Sequence, residues 1–334
     1  MKMLSIENLK IGYRAKSNDN ILLENINLSV DAGEFISLVG KNGIGKSTLL
    51  RTLVGLQDAL SGEILLNQKS VTSYTIQELS KKICYVSTEH VQIPNLTVFD
   101  FVSYARAPYN NWFGKLSNDD KKAITESLEL TNSQAIAHRI YDELSDGEKQ
   151  RVLISRALAQ DTEIIVLDEP TAFLDLANKY EIFHLLSQLS RQKNKTIIFS
   201  THDLNIAINE SDKIWLIHDK NIIEGMPEEL VLNNVFNKLF DSSNLVFEKE
   251  VGEFIRSRKN EQIIGLQGNG IEFIWTKKAL LRNNFQVECN KTHELNVIID
   301  NKEKLNWILI LKNDKFVFAS LKELLNKLNN CRHE

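Results

Sequence analysis

Cysteine is scarce, long apolar runs are absent, and neither sign of charge prevails. The three cysteines, Cys84, Cys289 and Cys331, show no C-x-x-C spacing and are too few for a disulfide scaffold. Cys84 lies in an apolar stretch and reads as a buried core thiol. Cys289 with His293, and Cys331 with His333, could converge on a metal, although loose Cys/His pairs near a terminus are usually surface residues. No apolar run approaches the roughly 20 residues needed to span a bilayer, and residues 1–8 lack a signal-peptide core. The chain is therefore expected in the cytoplasm. A formal net charge of -4 argues against a general nucleic-acid binder. What is present is an ordinary globular composition, 43% hydrophobic and 25% charged over 334 residues, enough for one large domain and a small one.

The chain is organised around Gly40-Lys41-Asn42-Gly43-Ile44-Gly45-Lys46-Ser47-Thr48, which fits the phosphate-loop pattern G-x-x-x-x-G-K-[ST]. Residues 34–39 before it read as a buried strand, and residues 49–54 after it as a helix ending at Gly55. The glycines let backbone N–H groups converge on a phosphate, and the helix adds the positive end of its dipole. Lys46 supplies charge for the β- and γ-phosphates, and the Ser47 hydroxyl can ligate magnesium.

Upstream, residues 3–9 and 25–30 alternate as half-buried strands do. Tyr13 lies between them, either as packing or as a flat face for adenine. Residues 62–66 and 83–86 read as further strands, the second leading into Ser87-Thr88-Glu89-His90. Between residues 97 and 137 the spacing turns helical, with Val98, Phe101, Val102 and Ala105 on one face and later Ile124, Leu128 and Leu130. Leu144-Ser145-Asp146-Gly147-Glu148-Lys149-Gln150 opens another helix, and Ser145 with Glu148 fits a capping box. A capped N-terminus with a glycine is also an anion site.

Residues 164–167 form an apolar strand ending in Asp168-Glu169, which puts two carboxylates at the sheet edge where α/β proteins bind ligands. Asp168 is suited to hold magnesium through water, and Glu169 to polarise the attacking water. Asp175 starts a helix whose Ile182, Leu185, Leu186 and Leu189 form a core stripe. The strand at residues 196–200 delivers His202, a candidate contact to the γ-phosphate.

In order and spacing, Tyr13, the loop at 40–48, the stretch 144–150, residues 164–169, residues 172–175 and His202 resemble the nucleotide-binding subunit of ABC transporters over about residues 1–255. Tyr104-Ala105-Arg106-Ala107-Pro108-Tyr109 through Phe113-Gly114-Lys115-Leu116-Ser117, with Asp119 or Asp120 after it, is similar to importers of iron-siderophore, haem or cobalamin. The resemblance implies an α/β ATPase domain with an antiparallel β subdomain and a helical insertion at about 90–160. It implies ATP and Mg2+ as cofactors, with Tyr13, Gly40, Asn42, Gly43, Gly45, Lys46, Ser47 and Thr48 on the nucleotide, Ser47, Asp168 and Thr88 on the metal, and Glu169, His202 and Lys46 in catalysis.

Two copies would pair head to tail, so that Ser145 and Gly147 of one reach the γ-phosphate of ATP held by Lys46 of the other, and Asp175 bridges the two sites. A groove near Thr88 and the helical insertion would receive a membrane permease, itself served by an external substrate-binding protein. No nucleic acid is expected, and the location implied is peripheral, at the cytoplasmic face of the membrane. ATP binding would close the pair and hydrolysis reopen it. The rival class is an ABC ATPase acting on ribosomes or DNA, or one serving another transported substrate. Against the first stand one phosphate loop, one signature and no sustained heptads.

Two departures from the family pattern stand out. Thr88 or Glu89 occupies the place of the usual glutamine, and Asp146 and Glu148 replace the usual glycine and glutamine of the signature. A carboxylate beside a γ-phosphate repels it, so Asp146 is expected to point away.

Residues 256–262 read as a charged linker. Beyond it, strands are expected at 263–266, 285–287, 295–299, 307–311 and 316–318, and helices at 275–281 and 321–328, a small α+β domain over 263–334. It holds no acid, base and nucleophile set. A cap or dimerisation element and a sensor of transported substrate are the two readings of its role.

Overall fold

The computed structural model describes the chain except residues 1, 17, 88–93, 110–114, 173, 241–244, 250–251, 257–261, 302–303, 313 and 331–334. Two compact units emerge: Met1–Asp241 with Phe247–Glu253, and Ser242–Val246 with Phe254–Glu334.

The first unit is built on a six-stranded sheet in the order Asn221–Gly225, Lys213–His218, Phe35–Val39, Thr196–Thr201, Ile164–Leu167, Ile83–Val86. All but the first strand run parallel, and Asn221–Gly225 closes an antiparallel hairpin with Lys213–His218. Its two turn residues, Asp219 and Lys220, both have positive φ, as a tight hairpin turn matching strand twist requires.

Helices and a second sheet cover both faces, which explains why the strands Phe35–Val39, Thr196–Thr201 and Ile164–Leu167 are buried at every position rather than alternately. Ile36, Leu38, Ile164, Val166 and Ile198 join one core with the phosphate-loop helix and the antiparallel sheet. Their neighbours Phe35, Ile165, Leu167, Ile197 and Phe199 point into the opposite core, against Phe183, Leu186 and Ile154. The antiparallel sheet has the order Asn20–Asp31, Lys2–Tyr13, Ser61–Leu66, Lys69–Ser70.

The insertion is helical, with Val98–Ser103 and Asn118–Leu130 packed on Asp146–Ala159. Val98, Phe101, Val102, Ala105, Ile124 and Leu128 are buried there as expected, but Leu130 is 41% exposed. Six residues past Ile124 is about 240° round a helix, so Leu130 falls on the outer face, and Ser127 and Asp120 take the inner one. The segment is clamped at one end by a buried ion pair: Arg106 Nε donates to Asp120 Oδ1 at 2.7 Å and Arg106 Nη1 to the Ala159 carbonyl at 2.9 Å. The Arg106 guanidinium also lies 3.9 Å from the centre of the Tyr109 ring, whose hydroxyl donates to the Gln160 carbonyl.

In the helix Leu176–Lys193, Ile182, Leu186 and Leu189 are buried as expected; Leu185 is half-buried, and Phe183 is the residue that fills the core beside Phe199. The strand Lys213–His218, with fully buried Trp215, and the helix Leu204–Glu210 were not anticipated.

In the second unit every expected strand and helix is present. A mixed sheet runs Phe285–Cys289, Gln262–Gln267, Leu295–Asp300, Asn306–Leu311, Asp314–Phe318, the first three strands parallel and the last two antiparallel. Gly270–Arg282 and Leu321–Asn330 are its helices, and Ile264, Leu280, Phe285, Val297, Leu309 and Leu324 lie in its own core. Cys84 is buried, and desolvation pushes its thiol up to about 12, as a core thiol requires. His293 pairs with Glu288 at 3.0 Å; Cys331 and His333 lie outside the described residues.

Candidate functional site

The parallel order brings the chemistry together. Phe35–Val39, Thr196–Thr201 and Ile164–Leu167 are adjacent, so Gly40, His202 and Asp168 all leave the same sheet edge. At the first of these exits Gly43 and Gly45 have φ of 76° and 114°, a region closed to most side chains, and the helix Lys46–Leu53 starts at once. The loop, Asp168 and Glu169 line a cleft of about 420 Å³ together with Tyr13 and Leu22.

Lys46 is buried, and its ammonium donates to the Gly40 carbonyl at 3.0 Å and lies 3.5 Å from Glu169 Oε1. Asn42 Oδ1 is 3.4 Å from the same ammonium. Tyr13, 53% exposed, lines the cleft and is tied by its hydroxyl to Thr48 Oγ1 at 3.2 Å. Asp168 is 4% exposed, and each of its carboxylate oxygens accepts a bond: Oδ1 from Ser200 Oγ at 2.6 Å, Oδ2 from the Tyr85 hydroxyl at 3.3 Å. Burial, only partly offset by a hydrogen bond from Arg51, raises the Tyr85 phenol above its ordinary value, so it stays a donor.

Glu169 has φ of 43°, a left-handed conformation that costs a glutamate about 1–3 kcal/mol and persists where the surroundings enforce it. Its N–H donates to Ser200 Oγ at 2.8 Å, and its Oε2 lies 3.6 Å from His202 Nδ1. Hydroxyl and carboxylate oxygens on this wall form the hard donor set that Mg2+ prefers, so Ser47 and Asp168 fit that ion.

Ser145 and Gly147 stand apart from the cleft, at the start of the helix Asp146–Ala159. The capping box is formed: the Ser145 N–H and hydroxyl each donate to Glu148 Oε2 at 2.9 Å. The bond from the Ser145 N–H is the main reason the Glu148 carboxyl lies below its usual value, with Arg139 adding at 2.9 Å. Glu148 is thus spent on the cap and on Arg139, and Asp146 is exposed. Gly147 is buried beside Asn178, where an added Cβ would come within 3.0 Å of the Asn178 amide oxygen. Asp175 caps the next helix by accepting from the Asn178 N–H at 2.8 Å. Thr88 and Glu89 lie outside the described residues.

Sequence reasoning missed Ser200, Tyr85 and Leu22. A signal existed for the first two, since both interrupt apolar strands, Ser200 next to Ile197, Ile198 and Phe199, and Tyr85 beside Ile83 and Cys84.

Residues 23–172 match the ABC transporter family, and residues 260–329 match the iron ABC transporter C-terminal domain. An uncharacterised ABC transporter ATP-binding protein of Methanocaldococcus jannaschii is 37% identical over 272 residues, 80% of this chain and 92% of its own. The iron(3+)-hydroxamate import ATP-binding protein FhuC of Bacillus subtilis is 36% identical over 241 residues, 72% of this chain and 88% of its own. Among solved structures, a dimeric ATP-binding cassette in a post-hydrolysis state with ADP and Pi superposes with a TM-score of 0.60 at 30% identity, covering 67% of this chain and 99% of that one. With its phosphate loop, paired acids and capped signature helix in one fold, the chain belongs to the family of ABC transporter ATP-binding proteins.

Proposed function

We infer that this ABC ATPase energises uptake of an iron complex, of the siderophore, haem or cobalamin-like chelate class, through a separate membrane permease. The observation that carries the reading is the pairing, in one chain, of the phosphate-loop cleft with a C-terminal region matching the iron ABC transporter domain. Relatives named for siderophore and ferric-hydroxamate import favour the same substrate class.

In the cleft, Tyr13 stacks on adenine, the loop N–H groups and Lys46 hold the β- and γ-phosphates, and His202 meets the γ-phosphate from the neighbouring strand end. Ser47 and Asp168 would hold Mg2+, with Thr88 or Glu89 as the expected third contact; bound there, the ion would neutralise charge on the phosphates. Glu169 orients a water in line with the γ-phosphorus and takes its proton as the bond to ADP breaks. Ser145 and Gly147 complete the site from a second copy, which makes turnover depend on dimerisation. Among the described residues no helix is long and apolar enough to cross a membrane, in keeping with attachment through a permease.

The test is uptake of radiolabelled ferric siderophore by cells lacking this protein and carrying either the wild-type chain or Lys46→Ala. Uptake restored by the wild type alone supports the reading, and uptake indifferent to both, with ATPase activity intact, refutes the substrate class.

A further inference from the structure

One side chain joins the two acids of the site without touching the cleft. Ser200 is fully buried near the end of the strand Thr196–Thr201, two residues before His202. Its hydroxyl has one proton to give and lone pairs to accept. The proton goes to Asp168 Oδ1 at 2.6 Å, and a lone pair receives the Glu169 N–H at 2.8 Å. The peptide so held is the one at which Glu169 adopts φ of 43°. A left-handed glutamate is kept in place only by its surroundings, and this bond is the hold that the strand leading to His202 has on its backbone N–H. The second oxygen of Asp168 is held from the opposite strand by Tyr85, so the carboxylate cannot rotate without breaking one of the two bonds.

We propose that Ser200 is a positioning residue for hydrolysis, fixing the backbone of Glu169 and the carboxylate plane of Asp168 through a single hydroxyl. The inference rests on the assignment of Glu169 as the base. It also ties His202 to that base through the chain: a shift of the strand end that moves His202 pulls on the same hydroxyl that holds Glu169. A serine that merely satisfied its own hydrogen bond at a strand end would influence stability, but not the turnover rate of bound ATP.

The full-length chain is compared as Ser200→Ala, Ser200→Thr and Ser200→Val in steady-state ATPase kinetics, equilibrium ATP binding and amide exchange across residues 167–171. Thr and Val share one shape and differ in the hydroxyl, so the cost of the added methyl cancels within that pair. Outer-sphere partners of this kind are worth about 10- to 100-fold, and that loss of kcat is expected in Ser200→Ala, with Ser200→Thr exceeding Ser200→Val by a similar factor. ATP affinity stays within about threefold, because the interaction acts in the transition state. The Glu169 amide exchanges faster wherever the hydroxyl is missing.

A kcat indifferent to the hydroxyl in both pairs, or a kcat that falls only together with ATP affinity, overturns the proposal. If Ser200→Ala does not fold, the Thr and Val variants decide alone. Glu169→Gln, measured alongside, separates the two levels. Turnover surviving in Glu169→Gln removes the base assignment and this inference with it, whereas turnover lost there but unaltered in Ser200→Ala removes this inference only.

Discussion

On the proposed roles Glu169 serves chemistry and Tyr13 serves binding, and their substitutions should separate the two. Replacing Glu169 by Gln keeps the size and the left-handed backbone but removes the proton acceptor, so kcat should fall by about 10²- to 10⁴-fold while ATP still binds. Tyr13→Ala removes a stacking face worth about 1–3 kcal/mol, weakening ATP roughly 5- to 150-fold, whereas Tyr13→Phe loses only the bond to Thr48 and should cost far less. An equal loss in Phe and Ala would contradict the stacking role. At this scale the sequence was legible wherever a residue type is diagnostic by itself: lysine after glycine in the loop, paired acids after an apolar strand, histidine at the next strand end. Ser200 and Tyr85 escaped because their meaning lies in strand order. Nothing in the chain before or after Ser200 says that the strand carrying it sits between those ending in Gly40 and Asp168.

Helical elements were read reliably where an apolar stripe met a cap, and less so elsewhere. Asp175 and Ser145 both cap helices at the expected residues, and Ser145→Ala should cost about 1 kcal/mol of stability, visible as a lower Tm even where no nucleotide is present. Leu130 reads as inward on apolarity alone, against the 100° step, and the buried strand 213–218 escapes the sequence pattern because a strand buried on both faces does not alternate. The Arg106–Asp120 pair shows what the sequence withheld: two charged residues that seal the insertion from within. Removing Arg106 leaves a buried carboxylate unpaired, so Arg106→Ala should destabilise the protein by about 3 kcal/mol in denaturant titration. Burial raises the Asp120 carboxyl, but hydrogen bonds from Ser117 and Arg106 outweigh it, and in the folded protein it lies below its ordinary value. A carboxyl depressed by folding lends stability in full above its unfolded pKa and loses it as pH falls through the folded one. The wild type should therefore lose stability below about pH 4, with a smaller acid-limb loss in Asp120→Asn.

As a whole molecule the chain carries two units with separate cores, and its ligand belongs to one of them. Calorimetry of Glu169→Gln should resolve two transitions. ATP at 100 times its Kd should raise the first unit's transition, through about 2.7 kcal/mol of linkage, and leave the second in place. The small unit's fold was readable because its strands and helices are short, alternating and separated by turn residues, yet its role was not, since among its described residues no three metal-binding side chains gather. The central claim, an ATPase working on an iron-chelate permease, is tested most directly by purifying the tagged chain from membranes in mild detergent and identifying what accompanies it. The account predicts a multi-helix permease of the iron-chelate type, in equal amount, with ATPase activity that Glu169→Gln abolishes. Ribosomal or DNA-repair proteins in its place, with the ATPase intact, would contradict it.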